Sequence, residues 1–308
     1  MADDLDALPL PAQDLLNPEL YDSVITDAHP VTTMVTSRGC PFQCRFCSQS
    51  ITGKSYRFHS PERVLEEIKG CMDLGYRGIL FYDEVFTIRR KRVIELCTLI
   101  QKERMRFDWM ARGTINTVDG DLMRAMHDAG CRTITFGVES GSERILKRMN
   151  RPVRDTKKIA KVFRDAKAAG LTSLAYMMLG NPDETVEDMK ATRAMLRAIN
   201  PDHVHISVFV AYPATEFYRE GVERGLFSSD VWRGFAANPA EAFRVPTWPE
   251  APPAETLFAE ARRLYRTHYF RPHNIWRHLR AAGGLRGIRK RLPYLQALLR
   301  LRRAPAAG

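Results

Sequence analysis

The chain has 308 residues, enough for one large core or two modest ones, with 44% hydrophobic and 27% charged residues, the balance of an ordinary folded enzyme. No apolar run follows a basic start and no stretch approaches the ~18 apolar residues of a membrane span, so a cytoplasmic protein with six reduced cysteines is expected. The net charge of +11 is uneven: residues 261–308 carry 13 Lys or Arg and no carboxylate, which leaves the first 260 residues two charges negative. The basic character is expected to belong to the tail, and a nucleic-acid partner is not expected.

Residues 1–30 are rich in Pro, Asp and Leu, as in Leu8-Pro9-Leu10-Pro11, and read as an arm or linker. Strands and helices then alternate. Val31–Ser37 is predicted as a short strand that delivers a cysteine loop. Ser60-Pro61-Glu62, an N-cap followed by proline in the first turn, opens a helix to about Leu74. Gly78–Tyr82 and Arg89–Arg104 form the next strand and helix, then Phe107–Arg112 and Asp121–Ala129. Arg132–Val138 is the fourth strand, and Ser142–Ala169 is helical with a break at Pro152. Leu171–Leu179, Glu184–Ile199 and His203–Val210 complete the series. Cys71 and Cys97 fall on apolar helical faces and are assigned to the core.

Six strand–helix repeats with glycine-terminated helices imply an α/β fold with a parallel sheet and helices outside. The count suits a partial (β/α)6 TIM-like barrel over residues 31–220, with ligands at the C-terminal ends of the strands. No Gly-rich turn follows the first strand, which weighs against a doubly wound dinucleotide fold. Residues 221–308 are expected as a helical, basic C-terminal extension.

The chemistry concentrates in Arg38-Gly39-Cys40-Pro41-Phe42-Gln43-Cys44-Arg45-Phe46-Cys47. Three thiolates in a C-x3-C-x2-C spacing can hold three irons of a 4Fe–4S cube and leave the fourth open. Structural zinc normally takes four ligands, usually from paired C-x2-C units, and no second pair exists in the chain. Three cysteines within eight residues cannot all pair as disulfides. No cysteine follows Cys131, so one cluster is expected.

This spacing on a loop after a strand resembles the signature of the radical S-adenosylmethionine enzymes. The resemblance implies a 4Fe–4S cluster on Cys40, Cys44 and Cys47, with S-adenosylmethionine chelating the open iron through its amino and carboxylate groups. It further implies reductive cleavage to a 5′-deoxyadenosyl radical, which removes hydrogen from an organic, lipid-like or other small-molecule substrate. Asp83 and Glu84, ending the second strand, are placed by it near the ammonium of the bound methionine moiety, or else cap the next helix. Glu139 and Ser140 are placed at the ribose hydroxyls, with helix capping as the alternative. Met178, Gly180 and Asp183 resemble the adenine-side pattern, with Glu184 beside Asp183 and the start of the next helix as the alternative role of either acid, and Phe46 is expected to border the adenine. Arg112 is a candidate partner of the cofactor carboxylate or of an ordinary salt bridge. His203 and His205 share a strand face and are assigned to packing or substrate contact.

Asp83-Glu84-Val85-Phe86-Thr87, the segments 136–142 and 180–185, and Tyr212-Pro213-Ala214-Thr215 are similar to the cobalamin-dependent branch, which includes radical methyltransferases and the anaerobic magnesium-protoporphyrin ester cyclase. Residues 5–21 resemble the linker that follows that branch's cobalamin-binding domain, so cobalamin is doubtful as a cofactor of this chain by itself, and a separate cobalamin protein is an expected alternative partner. A non-catalytic iron–sulfur redox protein is the competing reading. An electron donor such as flavodoxin or ferredoxin is implied. Apolar residues alternate with Arg and Lys between Trp276 and Leu301, which suits short interfacial helices in peripheral contact with the inner face of the membrane, with packing of the apolar stripe on the barrel as the alternative.

Overall fold

The computed structural model describes residues 4–239, 243 and 245–280. Its body is a six-stranded sheet, every neighbouring pair parallel, formed by β1 (Val31–Met34), β4 (Gly78–Phe81), β5 (Asp108–Gly113), β6 (Cys131–Glu139), β7 (Thr172–Leu179) and β8 (His203–Val208) in that spatial order. Helices α1 (Pro61–Asp73), α2 (Arg90–Lys102), α3 (Gly120–Asp128), α5 (Thr156–Ala168) and α6 (Val186–Ile199) connect the strands. The expected partial barrel is therefore present. Strands carrying Ile79, Phe81, Trp109, Ile134, Phe136 and Met177 are buried on both faces, as a sheet covered by helices requires.

The helix starts follow the capping rules. Ser60 accepts from the Arg63 amide, with Pro61 in the first turn, and Thr185 and Asp188 form a reciprocal capping box. The predicted break at Pro152 separates α4 (Glu143–Arg148) from α5. Most boundaries differ by one or two residues, and the largest difference is at the first strand, which ends at Met34 instead of Ser37. Thr36 and Ser37 are drawn out of line by the buried Asp83 carboxylate, and Ser37-Arg38 (β2) pairs antiparallel with Arg57-Phe58 (β3). This two-stranded clamp closes the base of the cysteine loop.

The described residues beyond 220 pack onto the same body. Helix α7 (Glu216–Glu223) meets the cysteine loop, and α8 (Val231–Ala237) follows it. Helices α9 (Ala254–Tyr269) and α10 (Pro272–Arg280) cover the β8 edge. There the Tyr265 and Tyr269 hydroxyls accept from the Ile206 and Val204 amides at 2.9 and 3.1 Å. The arm also adheres: Leu5 is buried and Asp6 accepts from the Ser60 amide at 3.0 Å. The basic segment from 281 onward lies outside the described residues.

Candidate active site

The cysteine loop is built by tethers rather than by regular structure. Gly39 has φ +90, and a Cβ there would lie 2.2 Å from the Ser55 carbonyl oxygen, so no other residue fits. The Gln49 side-chain amide donates to the Cys40 and Phe42 carbonyls, both at 2.6 Å, which curls the chain back on itself. On the far side the Arg45 amide donates to the Met149 carbonyl at 3.0 Å, and Asn150 Nδ2 donates to the Gln43 carbonyl at 2.8 Å. The Phe217 amide of α7 donates to the Arg45 carbonyl at 3.1 Å. The Arg45 guanidinium binds Glu216 and Glu220 and stacks over Phe217.

The thiols are partly sheltered. Burial raises the Cys40 thiol, and Cys47 is pushed up to about 11 by desolvation with the nearby Cys44 and Cys40 adding to it. Among the described residues no three His, Cys, Asp or Glu side chains converge as the ligands of one metal ion. Three thiolates that each bind a different iron of a cube need no such convergence.

A residue that the strand-end motifs did not reveal lies behind Cys44. Arg151, in the break between α4 and α5, places Nη1 3.3 Å from Cys44 Sγ and donates from Nη2 to the Gly137 carbonyl at 2.5 Å. Its guanidinium also lies 3.9 Å from Glu139 and 5.9 Å from the centre of the Phe46 ring. Burial works against its charge, yet Glu139, Cys44 and Cys40 together hold the group above its usual value. Glu139 ends β6 at a register shift and adopts φ +68, a strained conformation for a residue with a side chain. Its carboxylate sits where a Cβ on Gly137 would come within 2.4 Å. Burial raises the Glu139 carboxyl, with Arg151 opposing.

The other predicted residues divide into two groups. Phe46 and Met178 meet in one apolar cluster with Ile145, Met149 and Phe217 beside the cysteines. Glu84 is exposed and close enough for its charge to raise both Cys40 and Cys47. Arg112 stacks 4.3 Å over the Tyr82 ring and has no carboxylate partner among the described residues. Asp83, in contrast, is fully buried and bound to Thr36 N at 2.6 Å, Thr36 Oγ1 at 2.7 Å and Ser37 Oγ at 2.6 Å. Ser140 is buried against Thr192 Oγ1 at 3.2 Å, between β6 and α6. Asp183 accepts from Arg148 Nε at 2.6 Å, whereas the neighbouring Glu184 turns inward and accepts from the Gly180 and Asn181 amides at 2.5 and 3.1 Å. The acids nearest the predicted adenine side are thus engaged in holding the turn.

Three thiols at the C-terminal mouth of a parallel half-barrel, backed by a buried arginine–glutamate pair, suit an iron–sulfur cube by donor type and by charge. Residues 34–196 match the model of the Radical SAM superfamily. The chain belongs to the radical SAM superfamily. It is an enzyme of the radical SAM class, with a 4Fe–4S cluster and S-adenosylmethionine as its cofactors. It is 33% identical over 271 residues to an uncharacterized methyltransferase of Pyrococcus horikoshii, covering 87% of this chain and 57% of that one. It is 28% identical over 191 residues to the anaerobic magnesium-protoporphyrin IX monomethyl ester cyclase of Rubrivivax gelatinosus, covering 60% of this chain and 34% of that protein. The fold is similar to that of OxsB, a cobalamin-dependent S-adenosylmethionine radical enzyme solved with aqua-cobalamin and S-adenosylmethionine bound. The TM-score is 0.61 at 16% identity over 86% of this radical SAM chain and 45% of OxsB. The chain thus spans about half the length of these relatives or less.

Proposed function

We propose that this radical SAM chain holds its cluster on Cys40, Cys44 and Cys47 and removes hydrogen from an apolar organic substrate in the course of a radical methyl transfer or cyclisation. The observation that carries this reading is the convergence of the cysteine loop, Arg151 and Glu139 at one strand mouth, with Phe46 and Met178 as an apolar wall. When bound, the cluster and S-adenosylmethionine supply the one-electron cleavage that generates a carbon radical. The protein's own residues bind, orient and exclude water. Arg151 neutralises charge at Cys44, Glu139 offers an acceptor to a ribose hydroxyl, and Glu84 offers one to the methionine ammonium. Arg112 is available to a carboxylate. The loops after β1, β4 and β8 expose Val35, Tyr82 and Tyr212, and Ile51 stands on the cysteine loop, so the mouth suits a lipid-like or porphyrin-like substrate.

A second reading, in which cobalamin is supplied by a separate protein, is favoured by the likeness to cobalamin-dependent OxsB. Oxygen-free reconstitution followed by dithionite and S-adenosylmethionine tests the main reading. About four irons per chain and release of 5′-deoxyadenosine are expected. Cys40→Ala, Cys44→Ala and Cys47→Ala should lose both, and Cys71→Ala, on the buried face of α1, should keep them. Iron that persists in all three motif variants defeats the assignment.

A further inference from the structure

Past the end of β8 the chain assembles a group of aromatic rings beside the cysteine-loop wall. Phe209 is still tied to the sheet, its amide donating to the Leu179 carbonyl at 2.8 Å, and Ala211 packs in the apolar cluster that includes Phe46 and Met178. The next residue, Tyr212, is 53% exposed. It stacks on Trp232 of α8, with ring centres 5.5 Å apart and planes 23° from parallel. Trp232 Nε1 donates to the Ala211 carbonyl at 2.9 Å, which fixes the indole at the rim of that cluster. Phe235, one turn further along α8, lies edge-on to Trp232 at 6.5 Å, and its ring centre is 4.4 Å from that of Phe243.

Packing of the body does not account for these rings. Helix α8 has seven residues, none of them buried, and no side-chain N-cap. A helix this short does not hold itself, and apolar rings left in water oppose its folding. The chain beneath Tyr212 is nevertheless firmly held. Thr215 Oγ1 donates to the Tyr212 carbonyl at 2.7 Å, and Ala214 between them adopts φ +61, a costly conformation for a residue with a side chain. An anchored turn that presents a ring to solvent fits a ligand contact better than a packing device.

We propose that Tyr212, Trp232, Phe235 and Phe243 form a stacking platform for a planar, conjugated ring system carried by the substrate, with Phe46 and Met178 continuing the wall toward the cysteine loop. The proposal rests on the radical reading of that loop and names the substrate class. A flat π-system stacked on aromatic faces gains from ring quadrupoles as well as from burial. A saturated chain or a puckered polycycle gains from burial alone, which aliphatic side chains would supply equally. Four partly exposed side chains fall far short of the about 800 Å² that a stable protein interface takes from each partner, so the platform suits a small molecule and not a second chain.

The test uses the full chain, without S-adenosylmethionine or reductant, and metal-free protoporphyrin IX as the planar probe, with affinity read from the shift of its Soret band. Combined Tyr212→Leu and Trp232→Leu keep apolar bulk but remove two ring faces, and should weaken binding about tenfold or more. Tyr212→Leu alone, at the exposed ring, should weaken it about threefold or more and serves where the double variant fails to hold iron. Tyr212→Phe keeps the ring and should bind like the parent. So should Tyr21→Leu, an exposed ring at the opposite end of the sheet, where the Tyr21 carbonyl receives the Val31 amide. Iron content after reconstitution and the thermal midpoint separate lost stacking from lost folding. Parental affinity in Tyr212→Leu and the double variant overturns the proposal, as does an equal loss in Tyr21→Leu. An equal loss of oleate or cholesterol binding in the double variant overturns it in favour of a general apolar surface. Displacement of the porphyrin by tetramethylammonium overturns it in favour of a cation cage. The radical reading is measured separately, on the parent with dithionite and S-adenosylmethionine. Release of 5′-deoxyadenosine by a parent that binds no porphyrin defeats the platform alone. No 5′-deoxyadenosine, whatever binds, defeats the radical reading and with it the assignment of the ring as substrate.

Discussion

Arg151 and Glu139 are coupled more tightly than either is to solvent. Both are largely buried, and each charge relies on the other, with the Gly137 carbonyl and Cys44 as further partners. Arg151→Met strands a buried carboxylate and should cost about 3–5 kcal/mol, because breaking one side of a buried pair leaves an uncompensated charge. Adding Glu139→Gln should restore part of that loss, and a double-mutant cycle by urea unfolding measures the difference. Simple additivity would show that the pair is not coupled. Asp83 makes the opposite case, an acid whose partners are all structural. Asp83→Ala leaves three donors on Thr36 and Ser37 without an acceptor, at about 1–3 kcal/mol each. Glu84→Gln, at an exposed position, should change stability by no more than about 0.5 kcal/mol while weakening S-adenosylmethionine binding. Equilibrium dialysis checks the second effect. Parental affinity in Glu84→Gln would leave the ammonium without its proposed acceptor.

At the level of the element, the turn between β7 and α6 is governed by Glu184. Burial pushes its carboxyl up to about 7, although the Asn181 and Gly180 amides donate to it. A folded value above the ordinary 4.5 means that folding favours the protonated acid. Its stabilising effect is complete below about pH 4.5 and is lost as pH rises through about 7, a loss of about 3 kcal/mol at 1.36 kcal/mol per pK unit. Against the pull of burial, hydrogen bonds from Arg144 and Ser142 hold Asp188 down to about 2, so it stays ionised over that range. Unfolding free energies should therefore fall between pH 5 and pH 8 in the parent and change less in Glu184→Gln, which mimics the protonated form. Equal pH slopes in the two proteins would exclude Glu184 as the source. The strands and helices themselves were readable from local pattern, because apolar runs, N-caps and terminal glycines act over a few residues. The facing of their end residues was not. β6 shifts register between Gly137 and Glu139, and β1 stops early because Asp83 reaches across from β4, so period-two alternation fails where the ligands sit. Arg151 was invisible for a related reason: it lies in a helix break, and its sulfur partner is 107 residues earlier in the chain.

For the whole molecule, the question is what the segment after the barrel contributes. Helices α9 and α10 are part of the body: Leu264 and Asn274 are fully buried, and Arg277 donates to the Pro201 carbonyl at 2.8 Å and pairs with Asp202 at 3.1 Å. Their outer surface still exposes Phe258, Ile275 and Trp276. Seven of the 13 cationic residues of the tail lie in residues 281–308, beyond α10. A basic residue near an anionic leaflet contributes about 1 kcal/mol, so removing seven should abolish most electrostatic membrane affinity even if only half of them engage. The informative truncation is therefore after Arg280, since one ending at Phe270 would delete α10 and its anchors along with the tail. Sedimentation with liposomes containing anionic lipid, at low salt, should carry down the full chain and leave the shortened one in the supernatant. Neutral liposomes or high salt should release both, because the attraction is screened within about a Debye length. Identical partitioning of the two proteins on anionic liposomes would assign the tail to a role other than membrane contact.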